Sequence, residues 1–313
     1  MSAKNKINFV GKIKTAVGLS LIVIIIGILS VIVQGGLNYN IEFNGGYLVH
    51  VGFYEKIDIA NIRSAFSGGD FAGIDIQEFG DTGSEASDFS TEVVLKMESV
   101  AENIKVLEEK VDSVLDEKFG KESYEIRQAS SIGPKVGDEL KSSTLQAIFW
   151  ALLFILIYIT IKFRFKYGIA AIIALAHDVL VTVGVLSLLG FVMNVEISLS
   201  VIAAILTIVG YSLNDTIVVF DRIRENVKKL EGMELDKIIN ISINETLTRT
   251  ILTSSTTLFV VAILFIFGGE VIRDLSITLL IGIMVGTYSS IFIASPILTF
   301  WERSNRKKRL AKA

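Results

Sequence analysis

Six apolar runs punctuate the chain, near 15–33, 142–161, 168–190, 197–221, 250–269 and 275–300. Each is close to the roughly 20 helical residues that cross a hydrocarbon core. The loops between them are short, except for one long polar insert between the first run and the second. The pattern predicts six membrane-spanning helices and one domain outside the bilayer. Interior glycines do not argue against these spans, because small residues let membrane helices pack closely. Gly282 and Gly286 form a small-xxx-small pair in the last span, which fits either a close helix contact or a flexible position.

The insert changes period. Residues 47–54 read as a strand, and Asp58 caps a short helix over 58–66, with Ile59, Ile62 and Phe66 at helical spacing. Alternation at Ile74 and Ile76 predicts a strand over 73–79, and 91–96 predicts another. A helix over about 100–118 places Val100, Ile104, Leu107, Val111, Val114 and Leu115 on one face, and 123–130 closes the insert as a last strand. The order β-α-β-β-α-β is the ferredoxin-like pattern, a sheet with two helices on one side. The polar stretch Gly80–Asp88 reads as a hairpin loop, and His50 as a structural or surface residue with no metal partners nearby.

Charge divides the chain in the same place. The net charge is −3, but residues 38–140 hold 21 acidic and 9 basic residues, and the remainder holds 12 and 21. Basic residues fix the expected orientation. Lys4, Lys6, Lys12 and Lys14 precede the first span; Lys162, Arg164 and Lys166 lie between the second and third; Arg222, Arg224, Lys228, Lys229 and Lys237 lie between the fourth and fifth; Arg303 to Lys312 end the chain. With six spans all of these fall on one side, expected to be cytoplasmic, and the acidic insert falls on the other with the short loop 191–196, whose single charge is Glu196. The first run is too long, and its end too bulky, for a cleaved signal peptide, so an uncleaved anchor is expected. There is no cysteine, which excludes disulfides, thiolate metal sites and cysteine nucleophiles. The basic tail suits topology and anionic lipid better than specific nucleic-acid recognition. These boundaries give residues 1–36 as amino terminus and first span, 37–140 as the external domain, 141–302 as the other five spans and 303–313 as a basic tail.

The candidate chemistry lies inside the spans. Asp215 sits deep in an apolar run, where a carboxylate costs a few kcal/mol or more unless it faces the bundle interior, a wet path or a partner. It reads either as an ion- or proton-coupling group or as a structural polar contact. Asn214 precedes it and Tyr211 lies one turn earlier, while Arg249, Thr250, Thr253 and Ser254 open the fifth span with a run of hydroxyls. That run fits a polar pathway or ordinary interhelical hydrogen bonds. Asp178 in the third span is a second ionisable candidate. Its neighbour His177 should point elsewhere on the helix, since adjacent residues do not share a face. Apolar surroundings favour a neutral acid and a nearby guanidinium favours the carboxylate. An approach of Arg249 to Asp215 would therefore release a proton, and separation would take one up.

Several segments together resemble the SecF family of the SecDF protein-export apparatus, over essentially the whole chain. They are Phe43-Asn44-Gly45-Gly46 after the first span, Ser131 to Leu140 leading into the second, Gly210 to Asn226 around Asp215, and Asn244 to Ser254 around Arg249. Glu42 stands where the family pattern has aspartate, which keeps the charge and changes its reach. The resemblance implies a polytopic α-helical membrane protein: a six-helix bundle of the resistance–nodulation–division (RND) type with an external ferredoxin-like α+β domain. It implies ion coupling at Asp215 and Arg249, with Asp178 matched more loosely, and a polar pathway through Tyr211, Asn214, Thr250, Thr253 and Ser254. The implied partners are SecD, a SecYEG-type translocon, the translocating preprotein, membrane lipid and, in bacteria, SecA. Proton flow, or sodium flow in some members, would assist late translocation without cofactor or metal. An ion-independent scaffold and half of a small-molecule exporter are the alternatives. No paired aspartate, Ser/His or metal-ligand arrangement supports an intramembrane protease, and no glycine-rich phosphate loop supports an ATPase. Gly45 and Gly46 fit a tight backbone turn or a plain linker, and Pro134 would stiffen the return to the second span.

Overall fold

The computed structural model describes residues 7–68, 71, 74–78, 89–97, 104–162, 165–193 and 195–301. The expected loop 80–88, the first turn of the helix expected from 100, the basic tail from 303 and the charges at Lys4, Lys6 and Arg164 lie outside the described residues. The chain runs α1 (Ile13–Val33), α2 (Ile41–Asn44), β1 (Gly46–Phe53), α3 (Ile59–Ala65), β2 (Asp75–Glu78), β3 (Thr91–Met97), α4 (Ile104–Phe119), β4 (Tyr124–Ile132), α5 (Pro134–Lys162), α6 (Phe165–Met193), α7 (Leu199–Lys229), α8 (Leu235–Phe267) and α9 (Gly269–Ser289). A π-helical turn, Ser290–Ala294, follows α9, and helix resumes from Ser295 through Pro296 to Trp301.

The insert folds as its alternation predicts. Its sheet has the order β2-β3-β1-β4 with every neighbour antiparallel. Val49, Val51, Phe53, Val93, Leu95 and Met97 point to one face and are buried against Ile62 and Phe66 of the α3 segment and Leu107, Val111 and Leu115 of α4. The Asp58 carboxylate accepts a hydrogen bond from the Ala60 amide, the expected cap. On the opposite face a β-bulge between β1 and β4 sets Arg127 out of register. There Arg127 Nη1 lies 3.0 Å and His50 Nε2 2.8 Å from the same Glu92 oxygen. Burial, the largest influence, holds the His50 imidazole below its usual pKa despite the carboxylate beside it.

Among the described residues, six helices are long and apolar enough to span a membrane. They overrun the spans expected from hydropathy: α5 begins at Pro134, α7 extends to Lys229, and α8 begins at Leu235. Hydropathy senses only the part of a helix matched to lipid, whereas backbone hydrogen bonding continues into the aqueous ends. Pro134 therefore starts a helix, at the one position where a missing amide costs nothing. Arg249 lies mid-helix, not at a helix start. The α6, α7 and α9 helices form the centre of the bundle, α1 packs on α6, and α5 is the most peripheral.

Two glycine contacts fix the packing. A Cβ at Gly27 of α1 would lie 2.6 Å from the Gly184 Cα of α6, so these helices cross backbone to backbone. In α9, a Cβ at Gly282 would overlap Ile208 of α7, and one at Gly286 would lie 2.8 Å from the Ser212 Cβ. The small-xxx-small pair is thus a close helix contact. After the first span the chain turns sharply. Gly45 and Gly46 adopt φ values of 77° and 150°, which L side chains rarely take, and Gly46 sits against the Met97 carbonyl. A tight junction, not a plain linker, joins α2 to β1.

Candidate functional site

The middle of α7 meets two carboxylates in the bundle interior, its own Asp215 and Asp178 of α6. Asp215 is 3% exposed, and its Oδ2 accepts a hydrogen bond from Ser254 Oγ of α8 at 3.3 Å. The Ser254 hydroxyl also meets Thr287 Oγ1 of α9 at 2.7 Å, so three helices converge there. One turn earlier on α7, Ser212 Oγ donates to Asp178 Oδ2 at 2.5 Å, and Ser289 Oγ of α9 donates to the same oxygen at 2.8 Å. Asp178 is fully buried. Ser212 and Asp215 are three residues apart and share one face of α7, so α7 and α9 carry both networks side by side.

The other expected site residues differ in where they stand. Arg249 is exposed on α8, and among the described residues no ion pair within 4.0 Å joins it to Asp215. Asn214 is exposed and turned away from the carboxylate, as its place next to Asp215 on a helix requires. Thr253 donates to the Arg249 carbonyl of its own helix at 2.9 Å, the usual back-bond of a helical hydroxyl, so it does not reach the network. Tyr211 meets Thr257 of α8 at 3.3 Å, outside both carboxylate clusters. Thr250 is buried on α8, its hydroxyl without a hydrogen-bond partner among the described residues. His177 departs from expectation as well. It does not point away from Asp178: its Nδ1 curls round to Asp178 Oδ1 at 2.9 Å, and both side chains are buried. Ser212, Thr287 and Ser289 were not singled out in sequence. Their spacing from Asp215 and Gly286 was the only signal.

A second polar cluster joins the sheet domain to the bundle. Lys96 of β3 lies 2.9 Å from Glu196 of the α6–α7 loop, with side chains 12% and 13% exposed. The Glu196 amide donates to Asp274 of α9 at 3.1 Å, and Arg273 Nη2 donates to the Met193 carbonyl. Burial pushes the Glu196 carboxyl above its usual pKa; Lys96 offsets that only in part, and Asp75 and Asp274 add to it. The Ile197 amide donates to the Asn38 carbonyl, and the Asn40 amide to the Ile197 carbonyl, so the strand-like exit of α1 pairs with the entry of α7. Glu42 completes the junction, its Oε2 accepting the Leu199 amide at 2.7 Å. The side chain that departs from the family pattern thus caps the helix that carries Asp215, where a carboxylate also suits the helix dipole.

Comparison with known proteins gives a consistent picture. Residues 111–304 match the family described as protein export membrane protein SecD/SecF, C-terminal. Protein translocase subunit SecF of Desulfurispirillum indicum is 46% identical over 291 residues, covering 91% of this chain and 88% of that one. The subunit of the same name from Gemmatimonas aurantiaca is 39% identical, covering 95% and 87%. Among solved structures, SecDF of Thermus thermophilus, a translocon-associated membrane protein, superposes with a TM-score of 0.78 at 31% identity over 97% of this chain. SecDF in its super-membrane-facing form superposes with a TM-score of 0.73 at 32% identity. The chain spans only 40% and 41% of those two SecDF chains.

Proposed function

The chain belongs to the SecD/SecF family of protein-export membrane proteins, and from that premise we propose that it is an ion-coupled accessory subunit of the Sec translocase. Members of this family are transport subunits, not enzymes. In this reading the chain supplies one six-helix half, a SecD-type partner supplies the other, and the pair uses the proton-motive force to assist late preprotein translocation beside a SecYEG-type channel and SecA. The external domain faces away from the cytoplasm, and both termini are cytoplasmic.

The observation that carries this reading is the buried Asp215 on a helix whose far end is tied to the sheet domain. From Leu199 to Asp215 the helix rises about 24 Å at 1.5 Å per residue. Glu42 caps its start, and the Lys96–Glu196 pair stands beside that cap. A change of charge at Asp215 alters its hydrogen bonding to Ser254 and through it to Thr287. A resulting tilt or shift of α7 moves the segment on which the sheet domain is docked. Arg249, exposed and acting on Asp215 only through space rather than by a close ion pair in this conformation, is the mobile counter-charge: its closer approach drives proton release, and its withdrawal permits uptake.

The test uses sealed vesicles containing the translocase, with the SecD partner and either the parent chain or Asp215→Asn. Gradient-dependent preprotein translocation should fall to the level seen without a gradient, while assembly and insertion stay normal. Retained stimulation would show that Asp215 is structural, as the scaffold alternative requires. Imposing proton and sodium gradients separately identifies the coupling ion.

A further inference from the structure

A cavity of about 730 Å³ opens at the end of the bundle away from the sheet. Its place in the fold follows from α5, a helix of 29 residues that starts at Pro134 beside the sheet and ends at Lys162, on the cavity wall. That length corresponds to about 43 Å of helix. Among the described residues, four cations from three helices line the cavity, Lys162 of α5, Lys166 of α6, and Arg224 and Lys228 of α7, and Glu231 is the one carboxylate. Among the described residues Lys162 and Lys228 enter no ion pair, whereas neighbouring Lys229 is held by Glu225 at 2.6 Å and Lys237 by Glu234 at 3.4 Å. Apolar surface continues from the cations, with Ile161 81%, Val227 40% and Met233 42% exposed.

This pairing of unpaired ammonium groups with exposed apolar surface, where the apolar spans end, matches an amphiphile. We propose that the cavity is a binding site for the headgroup of an anionic phospholipid. Its phosphate lies between Lys162 and Lys228, and its glycerol and upper acyl carbons lie along Ile161, Val227 and Met233. Basic pockets between membrane helices suit such headgroups. The chain's own tail is a poor occupant: Leu298 lines the cavity and the tail starts only a few residues later, but 303–313 carry six basic residues and no acid. A soluble anion would satisfy the ammonium groups and leave the apolar wall in water.

The chain has two tryptophans, Trp150 and Trp301, and Trp301 is one helical turn beyond Leu298. With Trp150→Phe as background, Trp301 fluorescence in nanodiscs reports proximity of brominated lipid. Brominated phosphatidylglycerol should quench at lower mole fraction than brominated phosphatidylcholine. Lys162→Gln with Lys228→Gln should reduce that preference by roughly thirty-fold, from about 1 kcal/mol per cation. Lys229→Gln with Lys237→Gln, which removes the same charge from the same side, should change it less than about twofold. Quenching by phosphatidylcholine should stay equal in all variants, reporting an intact bundle. Equal loss in both charge-pair variants would overturn the site in favour of diffuse attraction. Displacement of the quencher by dissolved glycerol phosphate would overturn the lipid assignment in favour of a soluble anion.

Discussion

Replacing Lys96 by Met tests whether the ion pair with Glu196 clamps the sheet domain to the bundle. The two side chains are only 12% and 13% exposed and 2.9 Å apart, so little water is available to replace the lost partner. Removing one member of a fully buried pair costs about 3–5 kcal/mol, and losing a charged hydrogen bond at a wetter site costs about 1.5–3 kcal/mol. The residual exposure places this pair near the top of the lower range, at about 2.7 kcal/mol, which is a hundredfold in an equilibrium. A junction closed in about 99 molecules of 100 would then be open in about half. Because the chain has no cysteine, Asn61→Cys on α3 and Val192→Cys near the end of α6 can be spin-labelled cleanly. The parent should give one distance distribution. Lys96→Met should add a longer one, and adding Glu196→Gln should shrink it again by removing the stranded carboxylate. Acid should also shrink it. The Glu196 pKa is already raised and rises further without Lys96, so the closed state is favoured below that pKa and loses that advantage as pH rises through it. An unchanged distribution in Lys96→Met, or single-variant effects that add within about 0.5 kcal/mol, would refute the clamp.

Gly27→Val should push α1 from α6, since even a Cβ would meet the Gly184 backbone at 2.6 Å; thermal unfolding in detergent should show a loss of about 1–3 kcal/mol, with Gly27→Ala intermediate. Thermal stability matching the parent in Gly27→Val would show that the crossing yields freely. His50, held below its usual pKa of 6.5 chiefly by burial, contributes stability that is present above that value and lost as pH falls through its lower folded value. Hydrogen exchange of β1 and β3 in the full chain should therefore quicken on acidification from about pH 7.5 to about pH 5, after correction for intrinsic rates, and His50→Gln should flatten the response.

The sheet domain was legible because its elements obey periods that water enforces. Asp58 before Ile59 and Ile62 announces a capped helix, and alternation at Ile74 and Ile76 announces a strand. The bundle was legible only in outline. In a bilayer every face of a helix is apolar, so periodicity scarcely reports which face turns inward. That is why Asn214 and Thr253 entered the expected pathway and Ser212 and Ser289 did not. The bond between neighbours His177 and Asp178 escapes for another reason: adjacent residues leave a helix in different directions, and only the curl of the side chain brings the imidazole back to the carboxylate. Contacts between remote segments were harder still. Lys96 and Glu196 lie a hundred positions apart, Glu42 and Leu199 further, and no local pattern links them.

The π-helical turn at Ser290–Ala294 sets the last span apart from its neighbours. One residue more per turn shifts everything beyond it by about 100° in azimuth, the angle a single residue subtends on a helix. Upstream, Gly282, Gly286 and Ser289 are phased to α7 and α6; downstream, Leu298 is phased to the cavity at the far end. The widened turn comes just before Pro296, whose ring would otherwise press on the carbonyl four residues earlier, and the Ser295 hydroxyl takes up the Ser290 carbonyl at 3.0 Å. The span is therefore two helical segments that share an axis but not a phase. Deleting one residue within 290–294 would not simply shorten it: the downstream segment would rotate as a unit and carry Leu298 to another face, while the contacts of Gly282 and Ser289 stayed where they are.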